Sequence, residues 1–178
     1  SIIELHKPEN IGKYKDNFYQ RLAFDEIFST FLVNSEIRKK IKKTKKINKY
    51  IDIKKQDEVI NQLNFSLTDD QIKTLKEIND DLSSSNKMFR LLQGDVGSGK
   101  TIVSLLAALN TINSGFQVAL MAPTEILIKQ HYELAKKIFP NSFNIEFISG
   151  KSSQKEKKNI LDRLLNQKID IIFGTHAI

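Results

Sequence analysis

The eight residues Gly94-Asp95-Val96-Gly97-Ser98-Gly99-Lys100-Thr101 fit the pattern G-x-x-x-x-G-K-[ST]. That pattern works in one local setting. A strand must deliver the chain to a glycine turn, and a helix must begin as the turn ends. The flanks supply both: residues 88–93 (MFRLLQ) read as a short apolar strand, and residues 101–109 (TIVSLLAAL) as a helix. The glycines let the backbone wrap closely around an anion with its N–H groups pointing inward. Lys100 can reach terminal phosphates, the Thr101 hydroxyl can hold Mg²⁺, and the helix N-terminus adds a favourable dipole. The bland alternative is a glycine-rich turn with an incidental lysine. Pattern, strand and helix coincide, so the loop predicts binding of a nucleoside triphosphate.

Downstream, apolar runs alternate with helical patterns. Strands are expected at 88–93, 116–121 (FQVALM), 144–148 (NIEFI) and 169–173 (IDIIF), and helices at 100–113, 125–138 and 153–166. Near-continuous apolar strands separated by helices imply a parallel sheet covered on both faces and right-handed crossovers. Ligands bind at the carboxyl ends of such strands, where the glycine loop already lies. No internal repeat is visible.

Upstream, a helix is expected from Asp16 to about Lys46, with an apolar face of Leu22, Phe24, Ile27, Phe28, Phe31 and Leu32 at three- and four-residue spacing. A short helix follows over Lys55 to Leu63. Thr68 then reads as the N-cap of another helix, with Asp69 and Asp70 at its positive end and Gln71 placed for a capping box. Ile72, Leu75, Ile78 and Leu82 form its buried stripe, and residues 82–86 a loop. Asp80 and Asp81 read as solvated charge.

The net charge of +7 is uneven. Residues 38–55 hold ten Lys/Arg against one acid, Asp52. This run reads either as a salt-sensitive, sequence-blind grip on nucleic acid or as a solvated lysine face. The absence of cysteine leaves no disulfide framework and no thiolate metal site, which fits a reducing, cytoplasmic setting. No apolar run approaches the length of a membrane span. The start SIIELHKPEN has no signal-peptide pattern and begins with Ser, so the sequence reads as a piece of something longer.

Three further segments lie at carboxyl ends of strands: Ala122 to His131 (APTEILIKQH), Phe147 to Lys151 (FISGK) and Gly174 to Ile178 (GTHAI). Taken singly they are a helix start, a turn and a loop histidine. Together with LLQGDVGSGKT they resemble motifs Ia, the threonine/serine-glycine motif, Ib and I of superfamily-two helicases. In combination they are most similar to the RecG family of branch-migrating DNA helicases. FSLTDDQ resembles that family's glutamine motif, and RLAFDEIF resembles its helical linker. The resemblance covers residues 17–34 and nearly all of 65–178.

It implies an α/β fold: an incomplete RecA-like P-loop domain with a parallel sheet over residues 64–178, preceded by a basic helical linker segment, residues 1–63. By resemblance, Gln71 would read the adenine edge, although it equally fits the capping box. Gly94, Asp95, Val96, Gly97, Ser98, Gly99, Lys100 and Thr101 would hold ATP, with Lys100 and Thr101 acting in catalysis and Thr101 on Mg²⁺. Thr124, Glu125, Gln130, His131, Ser149, Gly150, Thr175 and His176 would line a DNA path or support the loops that do. The partner would be branched DNA, forks and Holliday junctions, worked on by a monomeric motor.

The departure is the acidic pair that such motors place on a further strand to bind Mg²⁺ and polarise water. Nothing after Ile169 supplies it. The gene is therefore expected to continue with another apolar strand ending in Asp-Glu, and with a second lobe. Two other readings stay open. One is a non-hydrolysing nucleic-acid-binding module using the basic segment. The other is a P-loop kinase or transporter ATPase, in which MAPTEILIKQH and GTHAI have no obvious task.

Overall fold

The computed structural model describes residues 15–43 and 45–175. They form two compact units: residues up to 45 with 86–89, and residues 46–85 with those from 90 on.

The first unit is dominated by one helix, α1 (Lys15–Lys43). It stops short of the expected Lys46, and Lys45 makes an isolated antiparallel bridge to Asn86. Lys42, Lys43, Lys45 and Lys46 would place like charges three and four residues apart, which opposes helix continuation. The apolar stripe of α1 is exposed. Phe24 and Phe28 stack on each other at 5.7 Å, and Phe31 is 70% exposed.

The second unit begins with α2 (Ile53–Asn61), capped by the Asp52 carboxylate on the Lys55 N–H. This cap starts the helix two residues before the expected Lys55. Helix α3 (Asp69–Ser83) opens with the anticipated capping box of Thr68 and Gln71. Helix α4 spans Lys100–Asn113, strand β1 Val118–Met121 and helix α5 Glu125–Ile138. Strand β2 spans Ile145–Ile148, helix α6 Gln154–Leu165 and strand β3 Ile171–Gly174.

The strands form one parallel sheet in the order β1-β3-β2. Val118 and Ile145 both register with Ile171, and Met121 and Ile148 both register with Gly174. The strands therefore end level, along one edge. Central β3 is buried on both faces. Ile171 and Phe173 join the main core with α3, α4 and α5, while Ile172 joins a smaller cluster with Ile148, Ile160 and Ile169 that α6 covers. Coverage is less complete than expected: β1 exposes Ala119 and Met121 on its second face.

Residues 88–93 are not a strand. The apolar pattern is present, but a strand is defined by its ladder partner, and no described strand pairs with this segment. Leu92 packs on the main core, whereas Leu91 is 78% exposed.

A feature with no local signature locks α2, α3 and α4 together. The Asn110 side-chain N–H₂, fully buried, donates to Gln56 Oε1 (2.8 Å) and Asn79 Oδ1 (2.7 Å), and Asn79 donates to Gln56 Oε1 (2.8 Å). Replacing Asn110 with Ala leaves the Asn79 oxygen without its donor and opens a void. We expect a loss of about 2–3 kcal/mol, read as a lower urea midpoint at unchanged slope. A change below about 0.5 kcal/mol would show that the cluster is energetically neutral.

Candidate nucleotide and nucleic-acid site

The glycine loop leads into α4 as the pattern requires. Gly99 is the N-cap in the left-handed region (φ 78°), and Gly97 is also left-handed (φ 83°), conformations that side chains with a Cβ rarely adopt. The backbone N–H groups of Lys100 and Thr101 lie in the first turn, where no intrahelical acceptor exists, and point out of the helix end.

The Lys100 ammonium curls over the loop, donating to Gly94 O (2.8 Å), Asp95 O (2.6 Å) and Ser98 Oγ (3.3 Å). It thus sits inside the turn, held by oxygens alone, a cation aimed where an anion would enter. Around Gly97 there is open space for a bound group, while a Cβ at Gly94 would meet Ser98 Oγ at 2.8 Å. Val96 is fully exposed at the tip. The donors and the cradle fit a phosphate chain, and the Thr101 hydroxyl, with no hydrogen bond to the described residues, fits a metal-held role.

Helix α3 grips this loop on two sides. The Gln71 amide accepts the Thr68 N–H (2.9 Å) and donates to Ser98 O (2.9 Å). It therefore serves the capping box and the loop together, keeping one N–H and one lone pair spare. A Cβ on Gly99 would approach Gln71 Nε2 to 2.3 Å, so a side chain there displaces the Gln71 amide in addition to straining φ. On the entering side, Arg90 pairs with Asp81 (2.7 Å) and Glu77 (2.7 Å); the Asp81 hydrogen bond first, then Glu77, holds its guanidinium more firmly charged than usual. Asp81 is thus an anchor rather than a solvated charge. The signal in the sequence was the four-residue spacing of Glu77 and Asp81, which sets both carboxylates on one helix face.

The described parts of the three rim segments lie at the level ends of the strands. Thr124 caps α5, accepting from the Leu127 N–H (3.3 Å). Glu125, in the first turn, accepts the Gly150 N–H (3.0 Å). Ser149 is buried and accepts from the Lys151 N–H, while its own N–H goes to Ser152 Oγ. Gln130 borders a shallow groove of about 450 Å³ with Lys129 and Lys137. Burial pushes the His131 imidazole below its usual 6.5, so near neutral pH it offers hydrogen bonds rather than charge. Thr175 follows β3 directly, and His176 lies outside the described residues.

Three lysines of the basic run have partners within the protein. Lys46 donates to the Asp81 and Leu82 carbonyls at the end of α3, Lys49 lies over the Phe116 ring at 4.5 Å, and Lys39 pairs with Glu36 (3.0 Å). Among the described residues no helix is long and apolar enough to cross a membrane. A cavity of about 880 Å³ between α2, the connector 61–67 and α3 is lined by none of the loop residues.

Comparison with known proteins accords with this geometry. The family described as DEAD/DEAH box helicase matches residues 67–178. The chain is 38% identical over 183 residues to the ATP-dependent DNA helicase RecG of Aquifex aeolicus, covering 99% of this chain and 23% of the relative. It is 44% identical over 161 residues to RecG of Thermotoga maritima, covering 89% and 20%. A solved structure of RecG bound to a three-way DNA junction matches with a TM-score of 0.78 at 42% identity, over 89% of this chain and 22% of that one. The fold is that of a RecA-like helicase domain. The chain spans about a fifth to a quarter of the length of these relatives.

Proposed function

Because this chain belongs to the DEAD/DEAH box helicase family, we propose that it supplies part of the first motor lobe of an ATP-dependent DNA helicase that remodels branched DNA. In this reading residues 64–178 form the lobe and residues 1–63 a helical linker. Stalled forks and Holliday junctions are the substrates, and the protein works as a cytoplasmic monomer. The observation that carries it is the loop itself: an ammonium inside a glycine turn, at a helix N-terminus, braced by Gln71.

Bound ATP with Mg²⁺ supplies the phosphoanhydride bond whose hydrolysis drives the motor. The residues of this chain bind and orient. Lys100 would exchange the Gly94 and Asp95 carbonyls for the terminal phosphates, the amides of Gly97, Gly99, Lys100 and Thr101 would cradle the phosphate chain, and the Thr101 hydroxyl would hold the metal. The spare N–H and lone pair of Gln71 read the adenine edge. Thr124, Gln130, His131, Ser149, Gly150, Thr175 and His176 border the path of a DNA strand. Contacts of this kind go to the backbone and carry little sequence information.

The test is ATP hydrolysis by the full-length protein with and without a synthetic three-way junction. We expect stimulation of at least about tenfold, the rate effect of taking about 1.4 kcal/mol off the barrier. Hydrolysis indifferent to DNA would overturn the proposed branched-DNA remodelling role.

A further inference from the structure

We propose that Glu125 is a positioning residue: it ties the turn after β2 to the start of α5, so that two rim segments present one surface to nucleic-acid backbone, and it makes no contact with DNA itself. This rests on the proposed DNA path but concerns a link that the path alone does not require.

The link answers a topological problem. Strand β3 lies between β1 and β2, so the segments that follow β1 and β2 are not neighbours in the ladder. Ladder pairing therefore does not join them directly, and the join above β3 is made by a side chain. The Glu125 Oε1 atom accepts the Gly150 N–H at 3.0 Å. A Cβ on Gly150 would stand 3.4 Å from that same oxygen, so the approach is already close. The turn it grips is a unit in its own right: Ser149 O accepts from the Ser152 N–H, Ser149 Oγ from the Lys151 N–H, and Ser152 Oγ from the Ser149 N–H. Fixing one amide therefore fixes the turn.

The same geometry argues against direct contact with DNA. A carboxylate is acceptor-only and repels phosphate. Here it is committed to a backbone donor and sits in the first turn of α5, where the helix dipole favours negative charge. The hydrogen bond, rather than the ion pair, does the holding. Lys151 Nζ is 3.9 Å from Oε2 and its side chain is 88% exposed, the kind of pair that water screens.

A neutral acceptor should consequently suffice, which separates positioning from charge. In the full-length protein, Glu125→Ala should speed amide exchange in the segment containing Gly150 by about tenfold, and Glu125→Gln should leave it within about twofold of wild type. The junction concentration that half-stimulates ATP hydrolysis should rise about fivefold in Glu125→Ala, the loss of one ordinary hydrogen bond, and remain near wild type in Glu125→Gln. The rate at saturating junction should fall much less than this. Unchanged exchange in Glu125→Ala would overturn the inference, as would a Gln variant impaired as strongly as the Ala variant. If wild type is not stimulated by DNA, the proposed function fails instead, and the exchange arm still decides whether Glu125 holds the turn.

Discussion

Lys100→Ala lowers nucleotide affinity by about two orders of magnitude, since a charged hydrogen bond contributes about 1.5–3 kcal/mol and the ammonium makes more than one to a phosphate chain. Titration of a fluorescent ATP analogue into the full-length protein measures it. The side chain is half-buried and its present partners are two carbonyls and a hydroxyl, so the fold survives its removal with a small loss of melting temperature. Lys100→Arg does not rescue. The guanidinium is a planar fork, and the space between the Gly94 and Asp95 carbonyls holds a compact tetrahedral donor. Affinity retained within about threefold in Lys100→Ala would falsify the assignment of the loop as the phosphate site.

Gly99→Ala is expected to damage both binding and stability. The φ of 78° costs a Cβ-bearing residue about 1–2 kcal/mol, and the new Cβ, 2.3 Å from Gln71 Nε2, must break the bond to Ser98 or push α3 away. Together these amount to about 2–4 kcal/mol of lost stability, with nucleotide affinity down by at least about tenfold. A double-mutant cycle separates the two costs. Adding Gln71→Ala relieves the collision but leaves the φ strain, so Gly99→Ala should cost less in that background. Strict additivity of the two substitutions would mean that Gln71 and Gly99 are not in contact in solution.

What the sequence made readable was the part set by neighbours along the chain. Helices α4 and α5 begin and end where expected because their first residues carry the start signals: the glycine turn before Lys100 and the hydroxyl of Thr124 before Glu125. The capping box of Thr68 and Gln71 is likewise a three-residue event. Features that depend on distant partners were not readable. MFRLLQ has the composition of a strand, yet pairing is a property of two segments and only one was in view. Gln56, Asn79 and Asn110 are ordinary polar residues in the sequence, and only packing of three helices makes them a buried cluster. Arg90 and Glu125 each find a partner through the fold, across a helix face in one case and above a strand in the other.

The strand order carries a consequence for how the chain acquires its structure. β3 is the last of the three strands to be synthesised and the middle one of the sheet. Among the described strands β1 and β2 do not bond to each other, so with respect to these three each waits for β3. Joining these three strands then requires β3 to enter between the other two, closing separations of some fifty and twenty-five residues. Until that moment the apolar strands are open to wrong partners, and the helices between them, which need no distant pairing, are what can shelter them during translation.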